Sequence, residues 1–455
     1  MLERIGSWLS RGARRFVPDP FVLALLLTFV SFAAALWFTG GNFHSVLIAW
    51  VDGKGGGKGF WNLLAFGMQM CLILVTGHAL ASSPPLRRLL DALAARATTP
   101  ASAIAIVAVG AMSLALVNWG LGLIGGALLA REVGQRARER GVKVHYPLLA
   151  AAGYSGLMVW HGGLSGSAPL KVTLSKDLGE ILGPELAKQI VAMPLSETIG
   201  AWPNLLANAA LLVIVPLVLI RMLPRDERER RAAPELESHG AAESSGESSP
   251  AQRLDRSRIL AGLTAIAGFA AWFFVVRRQG IGNLDPNLIN FLFLFLGLAL
   301  HGSAAAYGRA IGEAANGTAG IILQFPFYAG IMGVLTGTGL LGAIAGAFVK
   351  VGAGALPAVS FYAAGLVNLF VPSGGGQWAV QGPILMKAAV DSGVAPARLV
   401  MALAYGDQWT NMLQPFWALP LLGITRVSAR DIIGYTAVLL LVSQVVFVAA
   451  LYLGW

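Results

Sequence analysis

The chain has 455 residues, of which 56% are hydrophobic and 12% charged, with a formal net charge of +10. A soluble domain carries roughly 25% charged residues, so soluble globular domains are excluded as the main architecture. The single cysteine, Cys71, excludes an intrachain disulfide and cysteine metal clusters. The arginines sit in short loops between apolar runs, which accounts for the basic charge without nucleic acid.

The first apolar run begins at Pro20, behind Arg4, Arg11, Arg14 and Arg15. It is too long, and followed by too many others, to be a cleaved signal peptide. Plain membrane spans are predicted at 20–39, 60–81, 199–221, 258–277, 287–302, 317–340 and 431–453. Two further stretches, 147–175 and 397–423, are interrupted by Gly, Ser, Pro and polar residues. Two more, 101–131 and 357–390, have glycine-rich polar centres, at Asn118-Trp119-Gly120 and at Pro372 to Gln377. Such a centre is tolerated at membrane depth only when buried in protein or lining a wet cavity, so both are predicted to be re-entrant helical hairpins. The expected fold is an all-α polytopic membrane protein with nine transmembrane helices and two hairpins.

Orientation follows from the basic residues. With the N-terminus in the cytoplasm, 23 of the 33 Lys and Arg fall in cytoplasmic segments, as the positive-inside rule requires. Counting 101–131 as a crossing would send the basic loop 131–146 outside. The segment 224–257 holds the charge run Arg225 to Arg231 and the low-complexity run Ala241 to Ser249, and is predicted to be a disordered cytoplasmic linker.

The two sides of that linker match weakly but in order. Asp19-Pro20 pairs with Asp285-Pro286, and Val75-Thr76-Gly77 with Leu335-Thr336-Gly337. Val117-Asn118 pairs with Val367-Asn368, and Ala151 with Tyr154 pairs with Ala402 with Tyr405. Residues 1–223 form a first repeat and 283–455 a second, joined by the linker and a connecting span at 258–277. Five crossings from one start to the next invert the topology, which is the architecture of secondary transporters.

The segment Asn368 to Gln381 carries the clearest chemistry. Pro372 and Gly374, Gly375 and Gly376 free backbone N–H groups, and such groups form a nest for an anion. Asn368, Ser373 and Gln377 add side-chain hydrogen-bonding groups, and a carboxylate suits the whole. In the first repeat, Asn118 and Gly120 form the hairpin tip, while Ser165 and Ser167 break the following span; their hydroxyls are donors to a carboxylate or ligands to Na⁺. Asp407 is the one acidic residue well inside a predicted span. An intramembrane carboxylate points to a proton carrier or cation ligand, with Gln408 and Asn411 as weaker neighbours. His161 reads as a structural histidine at a helix end, and the Trp and Phe residues as lipid or packing surface.

GFWNLLAFGMQM at 59–70, VTGHALASS at 75–83, QFPFYAGIMG at 324–333, NLFVPSGGGQWAVQGP at 368–383 and AYGDQWTNMLQPFWALP at 404–420 resemble the short-chain fatty acid transporter family. These are permeases of the acetoacetate and butyrate type, similar to a larger ion-transporter superfamily. The resemblance implies paired inverted repeats, a scaffold that often forms a homodimer, and an elevator-like transport domain. It also implies that the hairpin tips meet the two broken spans near mid-membrane.

The expected function is therefore a secondary active transporter for short-chain carboxylates, not an enzyme, in a bacterial inner membrane. It needs no cofactor beyond Na⁺ or H⁺ as coupling ion, and its partners are the carboxylate and the lipid bilayer. Two rival readings fit parts of the sequence. An intramembrane serine protease rests on G-x-S-G at 153–156 and 163–166 with His161 and His301, a weak match in a chain with 56 glycines. An anion channel would show no saturation.

Overall fold

The computed structural model describes residues 3, 8–9, 11–12, 15–53, 59–173, 175–182, 184–235, 249–279, 286–348 and 351–455. Features expected at Lys54, Lys58, Asp285, Lys350 and 241–248 lie outside the described residues. The described chain is helical and contains no strand. Among the described residues, six stretches are long and apolar enough to cross a bilayer: Pro20–Thr39, Pro100–Val117, Trp202–Arg221, Pro250–Arg278, Ala304–Gly337 and Ala429–Leu451. The protein is an all-α polytopic membrane protein.

The first half contains α1 (Pro20–Thr39), α2 (Phe43–Asp52), α3 (Leu64–Ser82), α4 (Pro84–Ala95), α5 (Pro100–Val117), α6 (Trp119–Glu139), α7 (Tyr146–Tyr154), α8 (Ser167–Lys171) and α9 (Trp202–Arg221). The single helix α10 (Arg258–Gln279) follows the linker. The second half contains α11 (Pro286–His301), α12 (Ala304–Ala315), α13 (Ala319–Gly337), α14 (Leu340–Phe348), α15 (Leu356–Asn368), α16 (Gly374–Ser392), α17 (Pro396–Thr410), α18 (Pro415–Thr425) and α19 (Ala429–Leu451).

Local signals set these boundaries. The Asp19 carboxylate accepts from Phe21 N–H and Pro20 opens α1, which ends at Gly40 with φ of 65°. Thr99 and Ser102 form a capping box at the start of α5. Ser373 caps α16, which ends at Gly393 with φ of 69°. The stretch expected as the first hairpin folds as α5 packed on α6, broken at Asn118. The second folds as α15 and α16, broken at residues 369–373.

Packing across the two halves is reciprocal. Helix α1 packs on α13 while α3 packs on α11, and α2 packs on α13 while α12 packs on α3. Helix α6 packs on α18 while α16 packs on α8, and α9 packs on α19. Two groups of helices result, α1–α3 with α11–α13 and α5–α9 with α15–α19, while α4 packs chiefly on α6 and α14 packs on both groups. In the second group Ala150, Ala151, Tyr154, Leu403 and Tyr405 are almost fully buried. Helix α10 instead turns Ile259, Leu263, Ile266 and Phe274 outward, as a lipid-facing span does.

One expectation is corrected in part. Residues 224–235, read as the start of a disordered linker, form a bonded strap against the end of the first hairpin. Tyr146 N–H donates to Arg231 C=O (2.8 Å) and Gln135 Nε2 donates to Pro234 C=O (2.8 Å). Ala233 is buried beside them. The Lys143 ammonium, 2.9 Å from Glu227, holds that exposed carboxyl below its ordinary range. Backbone carbonyls supply most of these bonds, and composition is blind to them.

Candidate functional site

Helices α7 and α17 both break in mid-course. Helix α7 passes into short 3₁₀ turns at Ser155–Met158 and Trp160–Gly162 before α8, and α17 into one at Asn411–Leu413 before α18. A broken helix exposes backbone groups that need partners, and each break receives side chains from the opposite half, the first also from Asn204 of its own half. Gln408 Oε1 accepts from His161 N–H (2.8 Å) and Gly162 N–H (3.2 Å). Asn204 Nδ2 donates to Gly162 C=O (2.9 Å), and Tyr405 O–H donates to Asn204 Oδ1 (3.1 Å). Tyr154 O–H donates to Asn411 C=O (2.8 Å).

The centre of this network is a buried acid–imidazole pair. His161 Nδ1 donates to Asp407 Oδ2, and both side chains are 1% exposed or less. Ala168 N–H donates to His161 Nε2 (3.1 Å), so Nε2 carries the lone pair and Nδ1 the proton. The imidazole is therefore a neutral donor, and any charge on the pair is that of the carboxyl. Trp160 stacks on the imidazole with ring centroids 4.3 Å apart.

The tip of the second hairpin rests against this pair. A Cβ on Gly374 would stand 2.8 Å from His161 Cε1, 2.9 Å from Trp160 and 3.0 Å from Asp407 Oδ2, so no other residue fits there without movement. At Gly375 a Cβ would meet nothing within 4 Å. The Ser373 hydroxyl accepts from Gly376 N–H (3.3 Å). The N–H groups of Gly374 and Gly375 have no acceptor among the described residues.

A cavity of about 360 Å³ opens here, and Ser167, Ser373, Gly374 and Gly375 line it. Its opposite wall is aromatic. Phe66, Trp119, Phe416 and Trp417 line it, with Trp119 and Trp417 edge to face at 5.1 Å and Phe66 and Trp417 at 5.9 Å. The cavity thus pairs a polar, N–H-bearing rim with an apolar wall.

The remaining predicted residues build the site without lining the cavity. Asn118 Oδ1 accepts from Gly120 N–H (2.9 Å) and Leu121 N–H (3.2 Å), and the Ser165 hydroxyl accepts from Trp119 N–H (2.9 Å). The amino end of α6 is therefore capped by its own protein. Gln377 Nε2 donates to Ala364 C=O (2.8 Å) and Gln381 Oε1 (2.7 Å), tying the two arms of the second hairpin. Asn368 Nδ2 donates to Asp407 C=O (2.7 Å) and Asn411 Oδ1 (3.0 Å). His161, Trp160 and the aromatic wall went unselected by sequence reasoning; the position of His161 beside a glycine-rich break was the available signal.

The chain matches the short chain fatty acid transporter family over residues 1–454. It belongs to that family. A curated protein of Escherichia coli (strain K12), provisionally named a short-chain fatty acid transporter, is 40% identical over 458 residues, spanning 100% of both chains. Its counterpart in Haemophilus influenzae, named likewise, is 36% identical over 457 residues, spanning 99% of this chain and 100% of that one. Two solved structures align more distantly. The YdaH transporter of Alcanivorax borkumensis is 14% identical, covers 96% of this chain and 99% of its own, and has a TM-score of 0.43. MtrF of Neisseria gonorrhoeae, described with a class of antimetabolite efflux pumps, is 18% identical, covers 96% of each chain, and has a TM-score of 0.40. Neither likeness is close enough to carry an inference.

This family consists of transporters, and the protease reading fails on geometry too. The Ser155 hydroxyl donates to Ala152 C=O (2.7 Å) and the Ser165 hydroxyl serves Trp119 N–H. Both nitrogens of His161 are engaged elsewhere and His301 Nε2 lies 2.8 Å from Ala79 C=O, so the described contacts pair neither histidine with these serines as general base.

Proposed function

We propose that the protein is a secondary active importer of short-chain monocarboxylates such as acetoacetate or butyrate, coupled to proton entry through Asp407. The carboxylate binds the Gly374 and Gly375 N–H groups at the amino end of α16, and the alkyl chain lies on the wall of Phe66, Trp119, Phe416 and Trp417.

One observation carries the reading: the backbone at Gly374, at the amino end of α16, lies against Asp407 Oδ2. Two carboxylates at that separation repel, so a substrate carboxylate binds best when Asp407 holds a proton. The linkage is reciprocal, and bound substrate favours the protonated acid equally. His161, a donor to Oδ2, orients the carboxyl. A monovalent anion entering alone opposes an inside-negative potential by about 2.3 kcal/mol per 100 mV, and one proton cancels that cost.

The reciprocal helix packing supports two inverted repeats, with α1–α3 and α11–α13 as scaffold and α5–α9 with α15–α19 as the moving, elevator-like body. The arginine distribution supports a cytoplasmic N-terminus in a bacterial inner membrane. The test is uptake of labelled butyrate by proteoliposomes holding the purified protein. Saturation, competition by unlabelled acetoacetate and counterflow are expected. A flux linear in butyrate, without counterflow, contradicts the transporter reading and favours a channel.

A further inference from the structure

A cavity of about 530 Å³ lies where the segment leading into α1 meets α19. Leu9, Gly12 and Val17 line it from that segment, and Leu413, Ile433 and Ala437 line the other side. Residues 8–9, 11–12 and 15–16 are helical. A Cβ on Gly12 would meet nothing within 4 Å, so protein does not fill the space at that wall. Ala437 lies eight residues past the start of α19 at Ala429, so the groove reaches about 12 Å along that helix. Leu413 closes the 3₁₀ turn that follows the break in α17.

The mouth of this groove is basic. Arg11 and Arg15 line it, both are exposed, and the Arg15 guanidinium lies 5.4 Å from the centroid of the Phe16 ring. Trp8 and Phe16, themselves 67% and 76% exposed, stand beside them. Among the described residues no acid lines the cavity and none pairs with either arginine. The acids of the adjoining elements have other partners: Glu3 pairs with Arg225, Asp431 with Arg231, and Asp19 caps α1. Arg15 precedes by five residues the proline that opens the first membrane span, so the two guanidinium groups sit at the bilayer surface, where basic and aromatic residues anchor a membrane protein. An apolar groove that runs inward from two uncancelled guanidinium groups fits an amphiphile with an anionic head and an acyl chain. In a bilayer that amphiphile is a phospholipid, whose phosphate oxygens suit the guanidinium fork.

We propose that this groove binds an anionic phospholipid, with its phosphate on Arg11 and Arg15 and one acyl chain along Ile433, Ala437 and Leu413. The bound lipid ties the segment leading into α1 to α19 and to the turn beside Asn411. No residue lining the hairpin-tip cavity lines this groove, so the proposal stands apart from the carboxylate reading.

Photocrosslinking tests it. The full-length protein is placed in phosphatidylcholine bilayers doped with phosphatidylglycerol that carries a diazirine on its acyl chain, and the crosslinks are mapped by peptide. Crosslinks at Leu413 and within 433–437 are expected, suppressed by unlabelled phosphatidylglycerol and not by added phosphatidylcholine. Arg11→Gln combined with Arg15→Gln is expected to lower the affinity read from that competition roughly twenty-fivefold, about fivefold for each charge at a membrane surface. Arg11→Lys combined with Arg15→Lys keeps the charge and is expected to keep most of the crosslinking, which separates lost charge from a displaced segment. Ala437→Trp fills the groove with both arginines in place and is expected to abolish crosslinking at Leu413. Equal labelling by diazirine-bearing phosphatidylcholine, or unchanged labelling of the glutamine pair, overturns the site and leaves an ordinary lipid-facing groove. Equal loss in the lysine and glutamine pairs overturns the role of charge, and an absence of crosslinks at Leu413 and 433–437 in the wild type overturns the proposal outright.

Discussion

His161 and Asp407 meet across the two halves of the chain, 246 positions apart, with the imidazole Nδ1 donating to the carboxyl inside a fully buried network. The contact joins the break after α7 to the interior of α17, and the tip of the second hairpin packs on it. Removing either partner therefore has a distinct signature. His161→Ala leaves a buried carboxyl without its donor, and a loss of about 1.5–3 kcal/mol is expected, read as a lower thermal midpoint in detergent. His161→Asn keeps an N–H near the position of Nδ1, and is expected to recover part of that stability and part of the transport.

Gly374 and Gly375 are neighbours with opposite tolerances. Gly374→Ala drives a methyl into His161, Trp160 and Asp407, and overpacking of this kind costs about 1–3 kcal/mol. Gly375→Val points into open space, so the protein is expected to fold normally and to show a raised KM for butyrate. Melting curves beside uptake kinetics separate the two. Equal destabilisation by both contradicts the described tip.

The aromatic wall sets a chain-length rule. Each methylene moved from water onto it contributes about 0.8 kcal/mol, or roughly fourfold in affinity. Inhibition constants for acetate, propionate and butyrate are expected to fall in that series. Phe66→Ala is expected to flatten the slope while leaving acetate least affected. A series without slope places the alkyl chain elsewhere.

Gln377 ties α15 to α16 from inside the hairpin. Gln377→Ala removes its bonds to Ala364 C=O and Gln381, and a loss of about 1 kcal/mol is expected. Because the side chain does not line the cavity, Vmax is expected to fall while KM stays. A large rise in KM with unchanged Vmax identifies Gln377 as a substrate ligand instead.

Much of this was legible in the amino acids. Asn118 and Pro372 mark breaks because neither continues a helix, and Asp407 stands out as a lone acid in an apolar run. What sequence could not separate is the job of a polar side chain near a break. An amide or hydroxyl that caps a helix, as Asn118 and Ser165 do, has the same chemistry as one that binds substrate. Trp119, Phe416 and Trp417 likewise look the same facing lipid or facing a cavity. His161 stands out only beside its partner from the other half, and no local spacing reveals a pair that distant.

Proton coupling through Asp407 is the central claim, and it is tested most directly by imposing gradients one at a time on proteoliposomes holding the wild-type protein or Asp407→Asn. With equal Na⁺ on both sides, an inward proton gradient is expected to drive accumulation of butyrate by the wild type. Undissociated acid crossing protein-free vesicles sets the baseline. Asp407→Asn is expected to retain butyrate exchange and to accumulate nothing above that baseline. Accumulation driven by a Na⁺ gradient at equal pH, or normal proton-driven accumulation by a stable Asp407→Asn protein, would contradict the account.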